Sequence, residues 1–268
     1  MNKNKLPDGE MNSFDFLVKI VEQLREPGGC PWDREQTHAT LKRNLLEETY
    51  EVIDAIDNEN YDSLMEEMGD LLIQIIFHAD IAKERGSFNI SDVIKRINEK
   101  MIRRHPHVFD DLEVADAREV EQNWDKIKAE ERKSYPLKKS VLDGIPSNLP
   151  ALSAAQLIQE RVARAGFEWD DVSGVLDKIY EEISEFKEAV TDSEKLHEMG
   201  DILFSLVNLS RWFGIYSEEA LRQTNMRFTR RYTGMEEIAR SQGLDFNGLS
   251  LNEKETLWKE VKRKESLQ

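Results

Sequence analysis

The stretch YEEISEFKEAVTDSEKLHEMGD, residues 180–201, places Glu182, Glu185, Glu198 and Asp201 on two adjoining helical segments. Residues three apart share a helix face, so Glu182 points with Glu185, and Glu198 with Asp201. The segment between the pairs is short enough for the second helix to fold back on the first. The residues after Asp201 fix the direction of the second pair. Ile202, Leu203, Phe204, Leu206, Val207 and Leu209 wrap nearly the whole circumference, the pattern of a helix buried on all sides. At about 100° per residue, Glu198, Asp201 and Ser205 fall on one narrow stripe of that cylinder. A Glu-rich helix taken alone reads as a solvated face. A carboxylate stripe on an otherwise apolar helix is costly unless something pairs with it, so it reads as a pocket for a metal ion or a cationic partner.

The same arrangement occurs earlier. LLEETYEVIDAIDNENYDSLMEEMGDLLIQIIFHADIA, residues 45–82, carries Glu47, Glu48, Glu51, Glu67 and Asp70 in the order of Glu181, Glu182, Glu185, Glu198 and Asp201. Glu67, Asp70, Gln74 and His78 again share a stripe on a very apolar helix. The connection between the paired motifs is three residues longer here, a difference expected to fall in a loop. NEKMIRRH (98–105) aligns with NMRFTRRY (225–232), Trp124 and Lys128 with Trp258 and Lys262, and Trp32-Asp33 with Trp169-Asp170. Self-similarity this long and collinear reads as a tandem duplication.

Both halves resemble the MazG family of nucleoside triphosphate pyrophosphohydrolases, all-α enzymes whose signature is EExxE followed, after a helix-helix connection, by ExxD. GGCPWDREQTH (28–38) and RRHPHVF (103–109) extend the likeness over nearly the whole chain. EExxE alone is a weak signal; with ExxD on an apolar helix, and both doubled, it is a strong one.

The 268 residues suit two domains of ordinary size, and 39% hydrophobic content suffices for helical cores. A net charge of −16 argues against nonspecific nucleic-acid binding and anionic membranes. Cys30 is the single cysteine, which excludes an internal disulfide and fits a reducing cytoplasm. The N-terminus has no secretory signal, and no uncharged run approaches the ~20 apolar residues of a spanning helix. The expectation is a soluble, cytoplasmic protein.

Helices are expected over residues 14–24, 41–57, 61–83 and 90–104, then one carrying 124–132. After the linker come 151–165, a helix entering near 172, the apolar helix after it, 218–242 and a last helix carrying Trp258. Three prolines and Asp143-Gly144 set the boundary, giving an N-terminal domain at 13–133, a linker at 134–150 and a C-terminal domain at 151–268. With no strand pattern, the fold class is all-α. A lone helix pair cannot bury so apolar a central helix, so a four-helix arrangement is expected, with covering surface from another half or another chain. The resemblance implies the same completion, by a homodimer.

Oxygen ligands without Cys, and without His at ligand spacing, select Mg²⁺, with Mn²⁺ as a substitute. Glu182, Glu185, Glu198 and Asp201, and in the first half Glu48, Glu51, Glu67 and Asp70, are the candidate ligands. A hydrated Mg²⁺ recruits substrate phosphates, which points to a polyphosphate. Glu182 and Glu185 are the candidate catalytic residues through the metal-activated water, with Glu181 as a candidate proton acceptor or outer group. Hydrolysis of nucleoside triphosphates between the α and β phosphates, releasing the monophosphate and pyrophosphate, is what the resemblance implies. The family's nucleotide contacts fall on Lys178, Ile179, Tyr180, Glu181 and Glu182, on Met226, Arg227, Phe228, Thr229 and Arg230, and on Trp258. The plainer alternative for these is a salt-bridged surface for the arginines and a core plug for the tryptophan. Lys178 has Asn44 in register, which makes the second half the expected principal site. Trp32 reads either as a base-stacking ring or as a plug at the core edge, and Cys30 as a buried, inert thiol. His105 and His107 lack a third nitrogen donor and read as loop residues. Two other functions remain open: a single-nucleotide hydrolase for dUTP, dCTP or phosphoribosyl-ATP, and a non-catalytic helical module stabilised by metal.

Overall fold

A computed structural model describes residues 6–133 and 140–266, and all regular structure in them is helical. The chain divides into two compact units, Met1–Glu131 and Arg132–Gln268. Residues 134–139 of the expected linker lie outside the described residues, and residues 140–149 run in turns.

The first unit holds α1 (Phe14–Arg25), the short α2 (Pro31–Glu35), α3 (Lys42–Asp57), α4 (Tyr61–Glu84), α5 (Ile90–Arg104), the one-turn α6 (Pro106–Phe109) and α7 (Ala117–Lys133), which crosses the unit boundary. Ser13 and Asn60 cap α1 and α4 with side-chain oxygens, and Asn89 with Asp92 closes a capping box on α5. Gly86 at φ 68° ends the α4 segment in the left-handed region. Val21, Leu41, Ile76, Phe77 and Ile81 form the core, so α1 and the start of α3 pack on the rear half of α4. Arg25 is buried beside it. It donates to Asp80 at 2.9 Å, to Glu84 at 2.8 Å and to the Asp33 carbonyl, tying α1 and α2 to α4.

The second unit holds α8 (Ala151–Arg164), α9 (Val172–Glu188), α10 (Asp192–Trp212), α11 (Ser217–Ser241), a 3-10 turn (Phe246–Gly248) and α12 (Leu251–Glu265). Thr191 with Glu194 and Ser250 with Glu253 close capping boxes on α10 and α12. Met235, Ala239, Leu257 and Val261 form a buried cluster between α11 and α12. α9 and α10 pack along each other as α3 and α4 do, and α8 packs on α10.

Three expectations need correction. The additional residues of the first hairpin lie in helix: both connections are three residues, 58–60 and 189–191, while α3 runs six residues past Glu51 and α9 only three past Glu185. The change comes downstream of the paired glutamates, so it leaves their face intact. Within their own units α4 and α10 leave Met68 and Ile75, and Leu203, Phe204 and Leu206, exposed. Trp32 is 58% exposed and so does not plug the core. His105 caps α5 and His107 belongs to the one-turn α6, so His107 is helical and His105 ends a helix, where loop residues were expected.

Candidate functional site

Paired carboxylates converge in each unit because each hairpin sets an i,i+3 pair on one helix against an i,i+3 pair on the next. In the first unit, oxygens of Glu48, Glu67 and Asp70 lie within 4.8 Å of one another. Glu51 stands beside them and acts on both Glu48 and Glu67. Partial burial, then Asp70 and Glu51, push the Glu48 carboxyl above the usual range. Glu67 is raised in the same way, by desolvation first and then by Glu51 and Asp70. The groups that act on this cluster are themselves acids, which is the electrostatic condition of a cation site.

In the second unit the trio is Glu182, Glu185 and Glu198, again within 4.8 Å. Glu182 is only 4% exposed. Lys178, one turn earlier on α9, reaches Glu182 Oε1 at 2.8 Å and Glu181 Oε1 at 3.0 Å. Those two bonds raise the Lys178 ammonium's pKa, hydrogen bonding to Glu182 counting most. Glu185 is raised by desolvation, then by Glu182 and Glu198. Asp201 stays outside the trio, its carboxylate 3.5 Å from His197 Nε2 on the same helix. Each quartet thus brings three members together, Glu51 standing just aside in one and Asp201 in the other.

The remaining sequence-named residues fall into two groups. On α9, Ile179 is buried, Tyr180 is exposed, and Glu181 is held by Lys178. On α11, Phe228 packs against Trp258 with centroids 5.3 Å apart, and Arg231 lies 5.6 Å from the Trp258 ring. Arg230 and Arg231 share Glu265, at 2.9 and 2.7 Å, while Arg227 donates to Thr224 at 3.0 Å; Met226 and Thr229 are exposed. Among the described residues no hydrogen bond or ion pair joins this group to the trio.

Sequence reasoning overlooked the acids that hold these arginines. The first unit repeats the motif: Arg103 and Arg104 share Glu131, both at 2.6 Å, and Arg104 and Lys128 lie over Trp124 at 5.3 and 5.5 Å. Glu131 and Glu265 each stand seven residues after the tryptophan, and that spacing was the available signal. The two guanidinium groups, Arg104 foremost, hold the Glu131 carboxyl down to about 2.

The carboxylate trios on paired helices are the decisive geometry of each unit. A MazG nucleotide pyrophosphohydrolase domain is recognised over residues 36–109, which contain the first trio. The chain is 47% identical over 261 residues to the nucleoside triphosphate pyrophosphohydrolase of Escherichia coli (strain K12), covering 95% of this chain and 99% of that protein. The chain belongs to the MazG family. Another MazG relative, the nucleoside triphosphate pyrophosphohydrolase/pyrophosphatase MazG of Thermotoga maritima, is 47% identical over 249 residues, or 93% of this chain and 95% of that one. The uncharacterized protein YabN of Bacillus subtilis is 45% identical over 258 residues, 95% of this chain but 52% of its own length. No helix among the described residues of this MazG chain is long and apolar enough to cross a membrane.

Proposed function

We propose that the chain hydrolyses nucleoside triphosphates between the α and β phosphates, releasing the monophosphate and pyrophosphate, with Mg²⁺ held by its carboxylate clusters. The observation that carries this is the pair of trios, Glu48, Glu67 and Asp70, and Glu182, Glu185 and Glu198, each within 4.8 Å in a chain of this family. The donor set fits the ion: all oxygen, mutually repelling, and ranging from the buried Glu182 to the exposed Asp70 and Glu185. Glu51 and Asp201 stand close by on the same faces and complete the two quartets. Bound Mg²⁺, or Mn²⁺ in its place, offsets the charge of the triphosphate and acidifies a coordinated water.

The chain's own residues supply the rest. Glu182 and Glu185 fix the geometry of the reacting end, and Glu198 faces them from the next helix. Lys178 offers an ammonium to the phosphates from one turn away, and Glu181 accepts a proton from that position. Arg227, Arg230 and the Trp258 face are suited to phosphate and base contact, with Met226, Phe228, Thr229 and Tyr180 around them. The second unit is the principal site because it has Lys178 where the first has Asn44. The exposed apolar faces of α4 and α10 support a homodimer in which a second copy covers them.

A panel of canonical and modified triphosphates with Mg²⁺, scored for both pyrophosphate and monophosphate, tests the assignment. Glu182→Gln is expected to lower turnover by about 100-fold or more. Release of orthophosphate alone, or full turnover in Glu182→Gln with loss in Glu48→Gln, would overturn the bond cleaved or the unit responsible. Mg²⁺-dependent stabilisation without any release of pyrophosphate would reduce the trios to structural sites. A monomeric mass by light scattering under active conditions would remove the dimer.

A further inference from the structure

We propose that Lys178 is a tethered counter-ion that competes with the divalent cation for Glu182, so that the second cluster fills at a higher metal concentration than the first. The inference rests on the reading of both trios as cation sites.

The two units differ in the residue one helical turn before the first glutamate of the cluster. In the second unit Lys178 Nζ lies 2.8 Å from Glu182 and 3.0 Å from Glu181. Glu182 is the most buried carboxylate of either trio, and a buried carboxylate without a partner is unfavourable. The ammonium meets that need in the absence of metal. One turn before Glu48 the first unit has Asn44, which is neutral. Lys42 and Arg43 nearby are exposed, and among the described residues no ion pair reaches Glu48, Glu51, Glu67 or Asp70. The strongest charged neighbours of Glu48 and Glu67 are other carboxylates. A cation entering the first cluster therefore meets only negative charge, and one entering the second displaces an ammonium from its best ligand.

Displacement is feasible because Lys178 is 38% exposed at its side chain and sits on a flexible four-carbon stem. Once released it carries an unpaired positive charge beside the trio. Metal and an anionic phosphate then bind the second cluster with positive coupling, since each favours the Lys178 position that the other needs. The first cluster lacks this device and takes metal without reference to nucleotide.

The test measures Mn²⁺ binding by electron paramagnetic resonance on the full-length chain. Glu48→Gln with Glu67→Gln leaves the second cluster to report alone, and Glu182→Gln with Glu198→Gln leaves the first. Each background is compared with and without a swap at the differing position, Lys178→Asn or Asn44→Lys. The first cluster is expected to bind the more tightly. Lys178→Asn should tighten the second by about tenfold, equivalent to about 1.4 kcal/mol, and Asn44→Lys should weaken the first by a similar factor. Affinities unmoved by either swap, or moved in the opposite sense, overturn the counter-ion role and leave the cation sites standing. The absence of saturable binding in both backgrounds overturns the sites themselves. Both swaps lie on solvent-accessible helix positions in different units, so a fold defect in one leaves the other as a readout.

Discussion

Replacing Arg25 by Met probes how the first unit holds α4 in place. The Arg25 side chain is 2% exposed and Asp80, its partner at 2.9 Å, only 11% exposed, while Glu84 at 2.8 Å is 52% exposed. The Glu84 arm is screened and contributes at most about 1 kcal/mol. Removing the cation strands the Asp80 carboxylate and the Asp33 carbonyl in a buried setting, a loss of about 3 to 5 kcal/mol. Burial already pushes Asp80 above its usual range, and Arg25 opposes that shift. Without Arg25 the folded-state pKa of Asp80 rises further above its unfolded value. The folded protein then binds more protons than the unfolded chain between those two values, so the variant's stability falls as pH rises through that window and the defect is largest at neutral pH. Hydrogen exchange of α1 and α4 amides reads this unit separately from the other, which a single global transition cannot. Arg25→Met with Asp80→Asn should regain most of the loss, because the stranded charge is then absent. A double variant no more stable than the single one, or a defect below about 1 kcal/mol, would show that Asp80 is solvated and refute the argument.

Glu131 gives an acid-limb prediction. Its folded carboxyl, held down to about 2 against an ordinary value of 4.5, contributes stability that is fully present above about 4.5 and lost as pH falls through about 2. Urea denaturation of wild type against Glu131→Gln should therefore differ by about 1 kcal/mol at neutral pH, given the half-exposed Arg103, and converge near pH 2. In the second unit, Glu265→Gln removes the anion that Arg230 and Arg231 share. With both guanidinium groups released towards an incoming phosphate, KM for a triphosphate should fall roughly threefold with kcat held, by steady-state kinetics with pyrophosphate detection.

Much of the architecture is legible in sequence because helix periodicity and caps are local. The three- and four-residue apolar spacing of Phe14–Arg25, the Asn60 and Thr191 caps and the glycines at 86 and 214 each act within a turn or two of their own position. The meeting of Glu48 with Glu67 and Asp70, and of Glu182 and Glu185 with Glu198, also follows from spacing, since a short connection leaves the two faces little choice. What spacing cannot give is rotamer and partner. Asp201 turning to His197, Lys178 spanning Glu181 and Glu182, and Glu131 and Glu265 gathering two arginines each are choices among side chains of similar reach. Exposure is equally hidden: a run such as Leu203 to Leu206 reports that a helix is apolar all round, and says nothing of which helices are present to cover it.

The two three-residue connections look alike in length and differ in shape. Glu59 takes φ 51° between α3 and α4, whereas Ala189 and Thr191 stay extended between α9 and α10, at ψ 127° and 155°. A left-handed residue reverses the chain abruptly at the end of a longer rod, and an extended link lets a shorter rod reach the same partner. Chimaeras that exchange these hairpins therefore need each corner transplanted together with its own arms; Asn58–Asn60 spliced onto α9 would aim α10 along a different axis and part the acids it carries.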